Sequence, residues 1–146
     1  MHQDLALTLD EIDRHQYVSL TTFRRSGEPV ATPMWVARSG HEVVVISLDD
    51  VGKTKRLAHT PRVELRPCDV RGRVADDAPI WHGTARVVRD RDELDEVRRA
   101  MSAKYPLARL GNTIEDVLGR WMRRKPRAGI RITLSGHDDH SDGSSR

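Results

Sequence analysis

The sequence predicts a mainly β, α+β domain: a small six-stranded antiparallel barrel with helices across its openings. Three observations predict it. The segments Tyr17 to Arg25, Pro29 to Arg38 and His41 to Leu48 are rich in β-branched residues and are joined by the short glycine turns "SGE" and "SG", the pattern of a β-meander. Within the third segment, "VVVI" is apolar at consecutive positions, so that strand is covered on both faces. Amphipathic stretches at helical spacing precede, interrupt and follow the strands, placed where they can close a curled sheet.

Each element has its own signal. Thr8 with Glu11 fits a capping box, which marks a helix start at Thr8, and Leu5, Leu9 and Ile12 lie at i, i+4 and i+7 on one helical face. Three strands follow. Lys53 to His59 allows about two turns of helix, closed by Pro61. "RVELRPC" is a fourth strand, "DVRGRVADDAP" a loop and "IWHGTARVVRD" a fifth strand. Asp90 with Glu93 opens a helix whose Leu94, Val97 and Met101 share a face. Asn112 caps another, with Ile114, Val117, Leu118 and Trp121 in register, and "RAGIRITL" is the sixth strand. Residues 1–134 form one domain by this reading. Residues 135–146, "SGHDDHSDGSSR", read as a disordered polar tail.

A chain of 146 residues accommodates one ordinary domain with a core. Its apolar share, 37%, is low enough that a partner subunit is expected to complete the burial. A net charge of +3, from 25 basic and 22 acidic residues, excludes strong non-specific nucleic-acid binding as a primary role. The one cysteine, Cys68, rules out an intrachain disulfide and a cysteine-rich metal site. The charged N-terminus does not read as a signal peptide, and no apolar run is long enough to span a bilayer, so a cytoplasmic location is expected.

The stretch "VGKTKRLAHTPRVELRPCDVRG" carries the densest basic charge around one short helix. Lys53, Lys55 and Arg56 stand at a helix start just after Gly52, where free N–H groups and the helix dipole favour an anion. Neither a Walker loop nor a GxGxxG turn is present. From the charges alone, a phosphate cradle and a solvated basic face both remain open.

Three segments in order, "YVSLTTFRRSGEPVATPMWVA", "GKTKRLAHTPRVELRPCDVRG" and "HGTARVV", resemble the pyridoxamine 5′-phosphate oxidase-like split β-barrel family. The likeness is greatest to its branch that uses the deazaflavin coenzyme F420, and it covers roughly Leu9 to Leu134. It implies a six-stranded split barrel of the FMN-binding type and a homodimer with cofactor sites at the interface. It places Lys53, Lys55 and Arg56 on the cofactor phosphate, with Thr54 donating through its backbone. It lays Thr32, Pro33, Met34 and Trp35 along the ring system. Ser47 becomes a linker contact, and Arg71 and Gly72 a loop near the site. The implied function is F420-dependent hydride transfer to an unsaturated or conjugated small molecule. The alternatives are an FMN-binding oxidoreductase and a non-catalytic cofactor or tetrapyrrole carrier.

No Ser-His-Asp set, HExxH or paired-carboxylate motif appears, which suits chemistry that resides in a cofactor. Other polar residues read as structural. His82 sits on a strand, His59 near a helix C-terminus, and Tyr105 packs at a helix end rather than donating a proton. Cys68 is expected to be a small buried hydrophobe. "RWMRRKPR" reads as a solvated helix end, and "HDDH" in the tail as idle rather than metal-binding.

Overall fold

A computed structural model describes residues 2–48, 52–105 and 127–135. In chain order these form α1 (His2–Asp13), β1 (Tyr17–Phe23), β2 (Pro29–Trp35), β3 (Ala37–Ser39), β4 (Glu42–Leu48), α2 (Gly52–His59), β5 (Arg62–Pro67), β6 (Trp81–Val88), α3 (Arg91–Lys104) and β7 (Arg127–Leu134). The helix expected from Asn112, the "RWMRRKPR" cluster and the "HDDH" run lie outside the described residues, as does the tail beyond Ser135. Among the described residues no helix is long and apolar enough to cross a membrane.

All seven strands belong to one sheet, ordered β2-β1-β5-β6-β7-β4-β3, with every pairing antiparallel. The two edges, β2 and β3, are consecutive in the chain and separated by Val36 alone. The single strand expected over Pro29 to Arg38 is therefore two. The chain leaves β1 at Trp35 and joins β4 at Ala37, so one continuous segment serves both edges and curls the sheet into a barrel. Pro29 and Pro33 have no N–H to give a strand neighbour, which suits the edge strand β2.

Alternation along the strands sends one side chain in two to the barrel interior. Val18, Leu20, Val43, Val45, Val63, Leu65, Ile130 and Ile132 form the core, each nearly or fully buried. Leu9 and Ile12 of α1 close one opening and Leu57 of α2 contributes from another helix. The first helix starts at His2, not Thr8. Its buried stripe, with Leu5 packed against the core ahead of Leu9 and Ile12, extends the helix through the capping-box pair, because tertiary burial outweighs a local cap.

The outer side of the sheet carries a second, smaller cluster of Ala37, Val44 and Val97, with Ile46, Ala100 and Met101 packed on it. It docks α3 over β3, β4 and β7. Asp90 caps this helix as expected, accepting from the Asp92 and Glu93 N–H groups. Gly129 lets the helix approach closely: a Cβ there would lie 3.2 Å from the Val97 Cγ2. Arg131 fixes the docking angle. It is 6% exposed and donates to Glu42 at 2.8 Å and to Glu96 of α3 at 2.7 Å.

Thus docked, α3 delivers its last residues to the strand switch. The Lys104 ammonium donates to the His15 carbonyl at 2.6 Å and the Val36 carbonyl at 2.7 Å, and pairs with Asp13 at 3.3 Å. The Tyr105 hydroxyl donates to the same Val36 carbonyl at 2.6 Å, with the Gln16 carbonyl 3.2 Å away. A carbonyl that the switch removes from the sheet ladder is thereby satisfied twice.

Burial pushes the Tyr105 hydroxyl from the ordinary 10.0 up to about 12, and the charges of Asp13 and Tyr17 act in the same direction. The neutral donor is favoured in the folded state. Its contribution to stability is therefore full below pH 10 and lost as the pH climbs toward 12. Lys104 shifts downward through burial, against the pull of Asp13, and so contributes the opposite slope. We expect the stability advantage of the native protein over Tyr105→Phe to shrink between pH 10 and 12. Urea unfolding at intervals across that window measures it, and the Lys104 contribution is common to both proteins.

Candidate functional site

The strand switch carries the chain from β2 to β4, and β4 leads through residues 49–51 to α2. The first turn of α2 contains no acidic residue. Its sequence, Gly-Lys-Thr-Lys-Arg, places Gly52 and Arg56 at i and i+4 and Lys53 and Arg56 at i and i+3, so all three share a face. The Arg56 guanidinium folds back over the helix start: a Cβ on Gly52 would lie 2.6 Å from its Nη1. Its Nε donates to the Thr22 Oγ1 of β1 at 2.6 Å, and both Nη1 and Nη2 pack against Gly52.

Thr22 is fully buried. Sequence reasoning missed it, although a polar residue on the inward register of an apolar strand, in line with Val18 and Leu20, was the available signal. Lys53 is pulled below the ordinary lysine range by burial and then by the Arg56 charge. Arg56 is likewise lowered, by burial and then by Arg24. Among the described residues, no carboxylate forms an ion pair with Lys53, Lys55 or Arg56. The result is a group of like charges gathered where a helix dipole adds to them, an arrangement that an anion would relieve.

The expected phosphate set divides on inspection. Lys53 and Arg56 come together. Lys55 is exposed and stands about 200° around the helix from Lys53. Thr54 is 3% exposed, buried on the side of the helix shared with Leu57. Ser47, 5% exposed, shares the inward register of Val43 and Val45 at the end of β4.

The expected ring-binding strand divides as well. Register pairs Thr32 with Leu20 and Met34 with Val18, both core residues, and Met34 packs against the core. Pro33 pairs with Ser19 and Trp35 with Tyr17 on the outer face. Pro33 and Trp35 can therefore wall a ligand on one side, while Thr32 and Met34 face the other way. Gly72, at φ 87°, brings the "DVRG" loop against Pro33: a Cβ there would lie 3.4 Å from the Pro33 Cδ. Asp69 shapes that loop by accepting from the N–H groups of Arg71 and Arg73, each at 2.9 Å. The Arg71 side chain is exposed at the Pro33 end of the site.

Trp35 is held by two tyrosines. Its indole stacks on Tyr105, with centroids 4.6 Å apart and planes at 28°, and meets Tyr17 edge-on at 6.3 Å. The remaining candidates behave as structural groups. His82 is exposed and 3.9 Å from Glu64, and His59 bonds to Thr60. Cys68 is only partly buried, not the buried hydrophobe expected, because it lies past the end of β5. Burial and then Asp69 push its thiol up, away from a reactive thiolate. Among the described residues no group of His, Cys, Asp and Glu could hold a metal ion.

The anion position and the edge strand lie a definite distance apart. Thr22, which anchors Arg56, pairs with Val30. Pro33 is three residues farther along β2, about 10 Å of strand. The three-residue offset puts Pro33 on the opposite face of β2 from Val30.

Comparison with known proteins agrees with this architecture. The family described as Pyridoxamine 5′-phosphate oxidase matches residues 7–136. No curated protein matches the chain. Among solved structures, the conserved hypothetical protein Rv2991 of Mycobacterium tuberculosis is similar at 22% identity and a TM-score of 0.66, over 88% of this chain and 79% of that one. The heme storage protein HutZ of Vibrio cholerae is similar at 16% identity and a TM-score of 0.63, over 90% of each chain. A protein described as an F420 reductase is similar at 17% identity and a TM-score of 0.55, over 87% of this chain and 93% of that one. These likenesses show the fold, which proteins of different functions share.

Replacing Arg56 by Ala removes the guanidinium over the helix start, and charge-assisted bonds contribute ~1.5–3 kcal/mol each. Phosphate affinity should fall at least about tenfold, more than for Lys53→Ala and far more than for Lys55→Ala. Titration of each variant with inorganic phosphate, followed by amide shifts of the α2 N-terminus, gives the order. Equal losses at Lys55 and Arg56 would break the division drawn above.

Proposed function

The chain belongs to the pyridoxamine 5′-phosphate oxidase family, and on that premise we propose that it is an F420-dependent oxidoreductase. Its most direct role is a reductase acting on an unsaturated or conjugated small molecule. The observation that carries this reading is the pair of cations at the start of α2, Lys53 and Arg56, which have no carboxylate ion-pair partner among the described residues and are tied through Thr22 to the strand beside β2. Arg56, Lys53 and the first N–H groups of α2 would hold the phosphate, with Thr22 fixing the guanidinium. Pro33 and Trp35 would wall the ring on the outer side of β2, while the edge backbone of that strand meets the ring's polar rim. Gly72 would admit the ring beside Pro33, and Arg71 would meet the acidic tail that distinguishes F420 from FMN.

A bound deazaflavin supplies hydride transfer and disfavours one-electron steps. The protein's own part is to bind, orient and exclude water. No acid or base needs to be assigned for that, and the structural roles of His82 and Tyr105 agree with it. A homodimer is part of the proposal. α3 covers β3, β4 and β7, while Pro33 of β2 and Glu64 and Arg66 of β5 remain at least partly exposed on the outer face, where a second copy can cover them. FMN carries a phosphate of the same kind, so the cradle suits either cofactor. The branch resemblance and the likeness to an F420 reductase favour F420.

Fluorescence titration of the purified protein with F420, FMN and heme separates these readings. We expect F420 to bind most tightly and the protein to turn over reduced F420 with a panel of conjugated acceptors. Tighter binding of FMN would replace the deazaflavin by a flavin, and binding of heme alone would make the chain a carrier.

A further inference from the structure

The residue that closes the barrel also touches the residue that would wall the cofactor ring. Tyr105 donates its hydroxyl to the carbonyl of Val36 and stacks its ring on Trp35, the preceding residue. One side chain therefore fixes both the backbone at the end of β2 and the plane of the indole. Lys104 secures the same carbonyl and ties it to the end of α1 through His15 and Asp13. From the other side, Tyr17 meets Trp35 edge-on, so the indole has little freedom to turn once Tyr105 is in place.

We propose that Tyr105 is a positioning residue for the cofactor ring, acting through Trp35 and the Val36 carbonyl. The inference rests on the reading that the ring lies along β2. Tyr105 sits at the opposite end of β2 from the anion cradle, whose anchor Thr22 pairs with Val30 near the start of the strand. A change at Tyr105 therefore alters ring binding and leaves the phosphate grip untouched. A residue that served stability alone would lower the melting temperature and move neither.

The test uses the full chain and two variants. Tyr105→Phe keeps the stacked ring and loses the hydroxyl bond, and Tyr105→Leu loses both. Affinity is measured by fluorescence titration with F420, or with FMN where FMN is the tighter ligand. The visible circular dichroism of the bound cofactor reports the ring's surroundings, and inorganic phosphate is titrated separately against the α2 amides. Tyr105→Leu should weaken cofactor binding at least about tenfold and change the dichroism, because it removes a hydrogen bond and an aromatic pair together. Phosphate affinity should be unchanged.

Tyr105→Phe should weaken cofactor binding about fivefold, the worth of one neutral hydrogen bond, with the sign of the dichroism retained. If Tyr105→Leu does not fold, Tyr105→Phe carries the test alone. Folded variants with native cofactor affinity and native dichroism would overturn the proposal while leaving the cofactor reading intact. A native protein that binds neither F420 nor FMN would overturn both.

Discussion

The structure depends on a single peptide carbonyl. At Val36 the chain passes from one edge of the sheet to the other, and the ladder cannot serve both sides of that step. Its carbonyl is instead held by Lys104 and Tyr105. A buried carbonyl without a partner costs about 1–3 kcal/mol, a large fraction of a small domain's stability. That cost makes the docking of α3 a condition of barrel closure. Gly129 and Arg131 allow and orient the docking. The closed barrel in turn fixes β2 relative to β4, and so fixes the strand that would face a ring relative to the helix that would face a phosphate.

The candidate site shows the opposite economy. Beyond burial, the Arg56 charge lowers the proton affinity of Lys53, and the Arg24 charge that of Arg56. Gathering them around a helix N-terminus is unfavourable in the free protein. Burial of Leu57 on the core side of the same helix contributes about 1.5–3 kcal/mol and keeps α2 in place despite its charges. Around Arg131 two carboxylates, Glu42 and Glu96, take up the charge, whereas among the described residues Lys53 and Arg56 have no carboxylate ion-pair partner. The two arginines, Arg131 and Arg56, thus stand in contrasting environments within one small chain.

Much of this was legible in the residues. The strand-rich run, the glycine turns and the "VVVI" stretch announce a curled antiparallel sheet, because local chemistry dictates them. Asp90 announced its helix for the same reason. The break at Val36 was not legible, since a strand that changes partners has the same composition as one that does not. Thr8 misled because a capping box is a local signal and the Leu5–Leu9–Ile12 stripe a tertiary one. Within the site, the cations were visible as charge, but their division was not. Only the helical turn and the reach of Thr22 from a distant strand distinguish Arg56 from Lys55. Likewise, "TPMW" read as one surface until register sent Thr32 and Met34 inward and Pro33 and Trp35 outward.

The central claim is that the start of α2 and the edge of β2 form the two ends of one site. The most direct measurement is a crystal structure of the protein with bound F420. The account predicts the phosphate within hydrogen-bonding distance of the Arg56 guanidinium and the first amides of α2, with the ring against Pro33 and Trp35. A phosphate bound away from α2, or a ring lying on the far side of the barrel from β2, would contradict it.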